Sequence, residues 1–167
     1  MKNLVLIGMA GAGKSTIGVL LAKATGMAYI DTDLLVQEKE KKLLQAIISE
    51  KGIEGFLKTE EQVILCLDVK NSVIATGGSV IYSIDAMKKL KEHGVVVYLK
   101  VSYGEIEKRI RNITSRGIVM RKEQTLYDVY TERVPLYEKY ADKIIDCSGM
   151  DIEEIVQKLT NVIEAIK

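Results

Sequence analysis

Residues 4–15 read LVLIGMAGAGKS, an apolar run followed by a glycine-rich segment that ends in a lysine and a serine. From Gly8 to Ser15 the spacing is G-x-x-x-x-G-K-S, which is typical of loops that bind the phosphates of a nucleoside triphosphate. The apolar run before the loop predicts a buried strand, and the apolar periodicity after it predicts a helix that begins at Lys14. This strand–loop–helix context predicts a phosphate-binding site between the strand and the helix.

The glycines of this loop allow backbone conformations in which several N–H groups point at one anion, and the helix that follows adds its partial positive charge. Lys14 can reach the β- and γ-phosphates, and the Ser15 hydroxyl can ligate Mg²⁺. The alternative is a glycine-rich turn without a ligand. The residues expected to bind the nucleotide, most simply ATP, are Gly11, Ala12, Gly13, Lys14, Ser15 and Thr16.

Outward from this loop, short apolar runs alternate with longer amphipathic stretches, which predicts parallel strands joined by helices in an α/β fold. Strands are predicted at residues 4–7, 28–30, 72–75, 95–99 and 143–146. Helices are predicted at residues 14–25, 34–50, 53–69, 84–93, 103–112, 124–140 and 152–166. Residues 34–69 hold two predicted helices and no strand, so this segment is expected to leave the sheet and build a substrate site. Residues 113–123 have weak periodicity and are predicted to form an exposed lid.

The composition excludes several classes of function. The chain has 167 residues, 47% of them hydrophobic, which suits one globular domain. A net charge of +1 provides no general field for nucleic acid or an acidic membrane, so we expect neither as a partner. Two cysteines and one histidine are too few for a disulfide framework or a multi-histidine metal site. Without an apolar run of about 18 residues, no transmembrane helix is expected, and the expected compartment is the cytoplasm.

Two carboxylates, Asp31 and Asp33, directly follow the second predicted strand. Because the carboxyl ends of parallel strands face one crevice, both side chains are expected close to the phosphate-binding loop. One can hold Mg²⁺ directly or through water, and the other can accept a proton from an attacking hydroxyl. The alternative is that Asp33 only caps the helix that follows.

The third predicted strand ends in a glycine pair, Gly77 and Gly78, which would let a ligand approach the backbone and accept N–H hydrogen bonds; a plain turn is the alternative.

Farther along, Arg133 and the chain's one proline, Pro135, lie in a predicted helix. A proline there is expected to kink or break the helix and so to direct Arg133 into a cleft. The alternative is that these residues only pack the helix.

The phosphate-binding loop, the Asp31–Asp33 pair, the glycine pair and the Arg133-x-Pro135-x-Tyr137 segment, in this order and spacing, resemble the shikimate kinases over nearly the whole chain. The resemblance implies a P-loop NTPase-type five-stranded parallel sheet in the order 2-3-1-4-5, with helices on both faces and a lid. It implies a single domain spanning residues 1–167, with a substrate-binding region at residues 32–62 and the lid at residues 112–124. It also implies one Mg²⁺ bound with ATP, and a small anionic hydroxylated acceptor, with shikimate favoured. We expect a monomer.

The resemblance also implies roles for individual residues. Lys14 and Ser15 would handle phosphates and Mg²⁺, Asp31 would help to hold Mg²⁺ partly through water, and Asp33 would bind the acceptor hydroxyl and act as its base. The glycine pair would bind the substrate, with the N–H of Gly78 as a donor. Three arginines complete the implied site: Arg133 on the substrate carboxylate, Arg116 in the lid on the transferring phosphate, and Arg109 near adenine.

The sequence departs from the family pattern at the substrate side. Where the family has Phe-Arg-x-x-Glu, this chain has Phe56-Leu57-Lys58-Thr59-Glu60, so Leu57 replaces a main carboxylate clamp. Glu60 loses its helical partner, which is expected to make the pocket more negative. Lys58 is one residue beyond Leu57, about 100° around a helix, and faces elsewhere. The third glycine of the family is Ser79, and the arginine–proline pair of the lid is Arg116-Gly117.

These departures leave several functions open. The chain is either a shikimate kinase with a substituted clamp, using Lys58 or Arg121, or a related kinase that acts on another small hydroxylated acceptor. A non-catalytic ATP-binding protein is a further alternative, but such a protein would not need Asp33. A nucleoside or nucleotide kinase is disfavoured because residues 34–69 contain one phenylalanine and no other aromatic residue for recognising a base.

Overall fold

In the computed structural model, which describes residues 2–111 and 117–166, five strands form one parallel sheet. The strands are β1 (Asn3–Ile7), β2 (Ala28–Asp31), β3 (Ser72–Ala75), β4 (Gly94–Lys100) and β5 (Lys143–Asp146). Their order in the sheet is β2-β3-β1-β4-β5, as the resemblance implied. All four pairings are parallel, and Leu6 of β1 pairs with Ala75 on one side and Val97 on the other.

Seven helices connect and cover the strands of the described chain. They are α1 (Lys14–Thr25), α2 (Thr32–Glu40), α3 (Leu44–Leu65), α4 (Ile84–His93), α5 (Tyr103–Arg111), α6 (Leu126–Tyr140) and α7 (Ile152–Ile166). A short 3-10 helix spans Val80–Tyr82. The predicted helices at residues 14–25, 84–93 and 152–166 are confirmed at both ends.

The prediction for residues 34–50 is wrong in one respect, because two helices occupy this stretch. The first, α2, ends at Glu40, and Lys41 adopts the left-handed conformation (φ 55°) that closes it. The second, α3, begins at Leu44 and continues past Gly52, where φ of 70° and ψ of 177° interrupt the helical geometry. The break expected near Gly52 is therefore a kink inside one long element, and glycine is suited to its positive φ.

The expectation that Pro135 kinks or breaks its helix is wrong as to a break, because α6 runs from Leu126 to Tyr140 with the proline inside it. The buried residues of α6 are Val129, Arg133 and Tyr137, which are spaced four residues apart along one stripe. Arg133 therefore faces inward because of its position on this stripe. The helix begins with a capping box in which Thr125 and Asp128 satisfy each other's backbone N–H groups.

The core lies on both sides of the sheet. All five residues of β1 are buried, as expected for the central strand of a parallel sheet. Helix α1 packs beside α7, whereas α3 packs beside α4. Because crossovers between parallel strands are right-handed and the chain reverses direction in the sheet after β2, these two helix pairs cover opposite faces. In the described residues, every helix is too short or too polar to cross a membrane.

Helix α7 provides a test of this packing. Leu159 is fully buried against the core, whereas Ile152 on the same helix is 45% exposed. We expect Leu159→Ala to lower the free energy of unfolding by about 2–5 kcal/mol, because it removes buried methyl groups and leaves a cavity. The matched change Ile152→Ala is expected to cost under about 1 kcal/mol. Equal losses in urea denaturation would contradict this arrangement of α7.

Candidate active site

A cleft of about 320 Å³ opens at the carboxyl ends of the central strands. Its walls come from the phosphate-binding loop, from α2 and α3, from the segment after β3, from residues 117–119 and from α6. The lining residues used below are Lys14, Ser15, Asp31, Asp33, Gly77, Gly78, Ser79 and Arg133. The structure thus brings together predicted site residues from four separate parts of the chain.

The phosphate-binding loop has the backbone that its glycines permit. Gly8, Gly11 and Gly13 all have positive φ, and a Cβ at Gly8 would stand 2.8 Å from the carbonyl oxygen of Leu99. The ammonium of Lys14 donates to the carbonyl oxygens of Gly8 (2.7 Å) and Met9 (2.8 Å), so its position is set by the loop itself. Lys14 is 7% exposed, so its charge is held at the inner side of the loop.

At the mouth of this loop, the carboxylate of Asp31 accepts four hydrogen bonds. Its Oδ2 accepts from the hydroxyls of Ser15 (2.7 Å) and Tyr29 (3.0 Å). Its Oδ1 accepts from the backbone N–H groups of Asp33 (3.0 Å) and Leu34 (3.4 Å), which caps α2. Burial and the neighbouring Asp31 raise the pKa of Tyr29, so this hydroxyl stays protonated and remains a donor.

Asp33 does not cap the helix, because Asp31 provides the cap and Asp33 lies in the first turn of α2. The interpretation of Asp33 as only a cap is therefore wrong. Its half-buried side chain lines the cleft, and a Cβ at Gly77 would stand 2.6 Å from its Oδ1. Gly77 thus needs to be a glycine because the Asp33 carboxylate occupies the space beside it.

The two glycines after β3 form different hydrogen bonds within the protein, Gly77 through its N–H and Gly78 through its carbonyl oxygen. The N–H of Gly77 donates to the hydroxyl of Thr32 (3.2 Å), so this group is used within the protein and not by a ligand. The carbonyl oxygen of Gly78 accepts from the Tyr137 hydroxyl at 2.5 Å, which fixes the orientation of the Gly78 peptide. The Tyr137 ring stacks on Tyr98 with centroids 5.1 Å apart, so the core of the protein positions this hydroxyl.

Arg133 reaches the cleft from α6 and is 2% exposed. Its guanidinium donates to the carbonyl oxygen of Val119 (2.5 Å) and to the Tyr82 hydroxyl (3.4 Å), and it stacks over the Tyr82 ring. A Cβ at Gly78 would stand 3.2 Å from its Nη1, so the guanidinium lies directly beside the glycine pair. One buried cation therefore lies within reach of an acceptor in the cleft.

Glu60, which was not among the predicted site residues, lies behind the glycine pair. It is 2% exposed and accepts from the Ser79 hydroxyl at 2.9 Å. A Cβ at Gly77 would be even closer to Oε1 of Glu60 than to Asp33. The signal that could have found it was a glutamate on the buried stripe of α3 with Phe56 and Val63.

The residues proposed as substitutes for the missing clamp do not line this cleft. Leu57 is half-buried and packs with a small apolar cluster around Phe56. Lys58 is exposed and lines a neighbouring shallow cleft beside Leu57, and Arg121 is exposed in the described part of the predicted lid. Among the described residues, the basic side chains that line the cleft are Lys14 and Arg133.

Two further predicted residues lie around the nucleotide side, and a third cannot be placed. Arg109 on α5 donates to the carbonyl oxygen of Gly11 (3.0 Å), which puts it on the outer side of the phosphate-binding loop. Thr16 is exposed in the first turn of α1. Arg116 lies outside the described residues. In the described part of the predicted lid, Gly117 packs so closely on α3 that a Cβ would stand 2.7 Å from the Cβ of Leu44.

The oxygen atoms at the mouth of the phosphate-binding loop are of the kind that Mg²⁺ prefers as ligands. Ser15 and Asp31 offer hard oxygen ligands beside the phosphate site. In the described part of the chain, no three His, Cys, Asp or Glu side chains are grouped closely enough to hold a metal alone. Magnesium commonly needs only one or two protein ligands because substrate phosphates and waters supply the others.

The cleft combines a phosphate-binding loop at the edge of a parallel sheet with carboxylates, hydroxyl oxygens and a buried arginine. This combination defines a P-loop phosphotransferase. Comparison with known proteins agrees with this class. The family model for shikimate kinase matches residues 10–164. The chain belongs to the shikimate kinase family, and it is accordingly an ATP-dependent kinase.

Individual relatives cover almost the whole chain. The shikimate kinase of Thermodesulfovibrio yellowstonii is 37% identical over 99% of this chain and 97% of its own. The shikimate kinase of Bacillus mycoides is 34% identical over 95% of this chain and 96% of its own. The structure of the Acinetobacter baumannii shikimate kinase in complex with shikimate superimposes with a TM-score of 0.91 at 30% identity, covering 100% of this chain and 95% of that one.

The hydrogen bond from Tyr137 to Gly78 predicts a measurable effect. In Tyr137→Phe the ring can keep its stacking on Tyr98, but the buried carbonyl oxygen of Gly78 loses its donor, which costs about 1–3 kcal/mol. We expect the acceptor KM to rise about tenfold with little change in the KM for ATP. The same change at the exposed Tyr127 is the control and should alter neither constant. An equal rise in both constants for Tyr137→Phe would contradict a role confined to the acceptor side.

Proposed function

We propose that this protein transfers the γ-phosphate of ATP to a hydroxyl of shikimate, and that it works as a monomeric cytoplasmic enzyme. One observation carries the choice of reaction: the Asp33 carboxylate, the glycine pair and the buried Arg133 guanidinium meet in one cleft beside the phosphate-binding loop. An acceptor that carries both a hydroxyl and a carboxylate matches this set, because Asp33 can accept a proton and Arg133 can bind an anion. The relatives named shikimate kinase support shikimate as that acceptor.

In this proposal the nucleotide binds the loop residues Gly11–Thr16, with Arg109 on the adenine side and Arg116 reaching the transferring phosphate from the lid. One Mg²⁺ ion would be held by Ser15 and Asp31 and would neutralise charge on the phosphates. The Tyr29 hydroxyl and the cap of α2 keep the Asp31 carboxylate in place for that role. Because these internal hydrogen bonds fix the Asp31 carboxylate, little reorganisation is needed on binding.

At the acceptor side, Asp33 would bind the attacking hydroxyl and take its proton, Gly77 and Gly78 would form the floor, and Arg133 would bind the carboxylate. The described lid contributes the carbonyl oxygen of Val119, which accepts from Arg133 and so couples the lid to the acceptor site. Closure of such a lid excludes water and limits hydrolysis of ATP. The whole chain would act as one domain, with the substrate-binding region at residues 32–62.

A second candidate is a kinase of the same family that phosphorylates another small hydroxylated acceptor. The specific observation in its favour is Leu57, which packs with apolar neighbours where the family resemblance implies a carboxylate clamp. Neither Lys58 nor Arg121 lines the cleft in its place. Losing one charge-assisted hydrogen bond weakens binding by roughly 1.5–3 kcal/mol, which corresponds to one to two powers of ten in affinity.

The role of Asp33 is tested by Asp33→Asn, which keeps the shape of the side chain but removes the base. We expect kcat to fall by about 10²–10⁴-fold, the usual contribution of general acid–base catalysis, while ATP binding and the circular dichroism spectrum stay unchanged. Asp85→Asn on the exposed start of α4 is the matched control. The measurement is ADP release with shikimate. Undiminished turnover in Asp33→Asn would rule out its role as the base.

The acceptor is tested by Leu57→Arg, with ADP release measured for shikimate, gluconate and nucleoside monophosphates. If shikimate is the acceptor, the added guanidinium should lower its KM by about ten- to a hundredfold. Leu65→Arg, an exposed position on the same helix, controls for the added charge alone. Turnover of gluconate but not shikimate by the unmodified protein would favour the second candidate. ATP binding without turnover of any acceptor would contradict both.

A further inference from the structure

Glu60 is a buried acid beside the cleft that the proposed chemistry leaves unused. It lies on the inner face of α3 and is 2% exposed. Its Oε2 accepts from the Ser79 hydroxyl, but its Oε1 has no hydrogen-bond partner among the described residues although it is fully buried. An ionised carboxylate with an unsatisfied buried oxygen is costly, whereas a protonated carboxyl is much less so.

Titratable and charged groups of three other helices act electrostatically on Glu60. They are Asp33 of α2, Arg133 and Tyr137 of α6, and Lys14 at the start of α1. Burial and the charge of Asp33 raise the pKa of Glu60 to about 8, and together these two effects outweigh the Ser79 hydrogen bond and the two cations, which lower it. The helical neighbours Leu57 and Glu61 provide no positive charge that would reverse this balance.

The link from Glu60 to the cleft runs through Gly77. A Cβ at Gly77 would collide with Oε1 of Glu60 and with Oδ1 of Asp33, so the two carboxyl groups meet at this one small residue. Asp33 lines the cleft, whereas Glu60 lies behind it. When two carboxyl groups are this close, ionising both is unfavourable, and the more deeply buried one keeps its proton.

We propose that Glu60 is a positioning residue that carries a proton during turnover, so that its neutral carboxyl supports Gly77 and Ser79 without adding a negative charge beside the acceptor. This inference rests on the proposed function in so far as the acceptor is an anion. The proton makes the pocket compatible with a carboxylate even though Arg133 is the one basic side chain described at the acceptor side. Loss of the proton from Glu60 would place a negative charge beside the pocket, and this charge would repel an anionic acceptor.

The kinetic test measures the acceptor KM for shikimate from pH 6 to pH 10 in the full-length protein and in Glu60→Gln. The glutamine is a neutral isostere that can still accept from Ser79. We expect the KM of the unmodified protein to rise about five- to tenfold above pH 8, with a smaller change in kcat, because a charge near the pocket acts mainly on binding. In Glu60→Gln the KM at pH 7 should stay within about threefold of the original and remain flat to pH 9.

The matched control is Glu61→Gln, the adjacent acid, whose carboxylate instead accepts from the Ser83 hydroxyl. It should leave the pH profile of KM unchanged. A loss of more than about thirtyfold in kcat/KM for Glu60→Gln at pH 7 would overturn the proposal, because it would show that the negative charge of Glu60 is needed. A KM that is independent of pH in the unmodified protein would also overturn it.

A second measurement does not depend on the acceptor. The ¹³C-carboxyl signal of Glu60 in glutamate-labelled protein is assigned by its loss in Glu60→Gln or, if that variant does not fold, by its shift in Ser79→Ala. A protonated signal at pH 7 supports the proposal, and an ionised signal overturns it. Absence of shikimate turnover with a protonated Glu60 would contradict the proposed acceptor but not this inference.

The pH dependence of stability provides a third test of whether Glu60 carries a proton in the folded protein. Because folding raises the pKa of Glu60, the folded state binds more protons than the unfolded state between pH 4.5 and about 8, and stability falls as pH rises through this window. Glu60→Gln should remove this decline in urea denaturation, while Glu61→Gln should retain it. The same decline in the Glu60→Gln protein would overturn the proposal.

Discussion

The site depends first on the parallel register of three neighbouring strands. Asp31 pairs with Ala75, and Ala75 pairs with Leu6, so β2, β3 and β1 end at one edge of the sheet. Hydrogen bonds continue the alignment beyond the strands, because the N–H and the hydroxyl of Thr76 both donate to the carbonyl oxygen of Leu6. This shared edge brings together three segments that are far apart in sequence: the phosphate-binding loop, the acidic pair and the glycine pair.

Much of the fold could be predicted from local patterns. The five strands were each located to within a residue at either end, since short apolar runs in a parallel sheet stand out from their polar surroundings. The errors fell where tertiary contacts override local preference. Pro135 stays inside α6, and Lys41 ends α2 in a left-handed conformation that a lysine seldom adopts. The strand order came from the family resemblance and not from these patterns.

The site was predictable where one short segment carries the chemistry, and less so where distant segments combine. The loop that ends in Lys14 could be identified from its spacing, since its backbone needs glycine at fixed positions. The hydrogen bond from Tyr137 to Gly78 joins residues 59 apart in sequence, and the burial of Glu60 behind Gly77 depends on how α3 meets the sheet. The buried stripe of α3 indicates that Glu60 lies inward, but no local pattern names Gly77 or Tyr137 as partners, because these contacts arise only when the helices are packed.

The charge balance of the acceptor side ties these observations together. The chain is nearly neutral overall, so the cleft cannot rely on a general field and must attract an anion through individual groups. Arg133 is already engaged by Val119 and Tyr82, which holds the guanidinium in place and lowers the entropy lost on binding. With Leu57 adding no charge, a second negative group beside Asp33 would cancel much of this attraction. A neutral Glu60 adds no such charge, and its burial beside Asp33 favours the neutral form against the opposing effect of the Ser79 hydrogen bond.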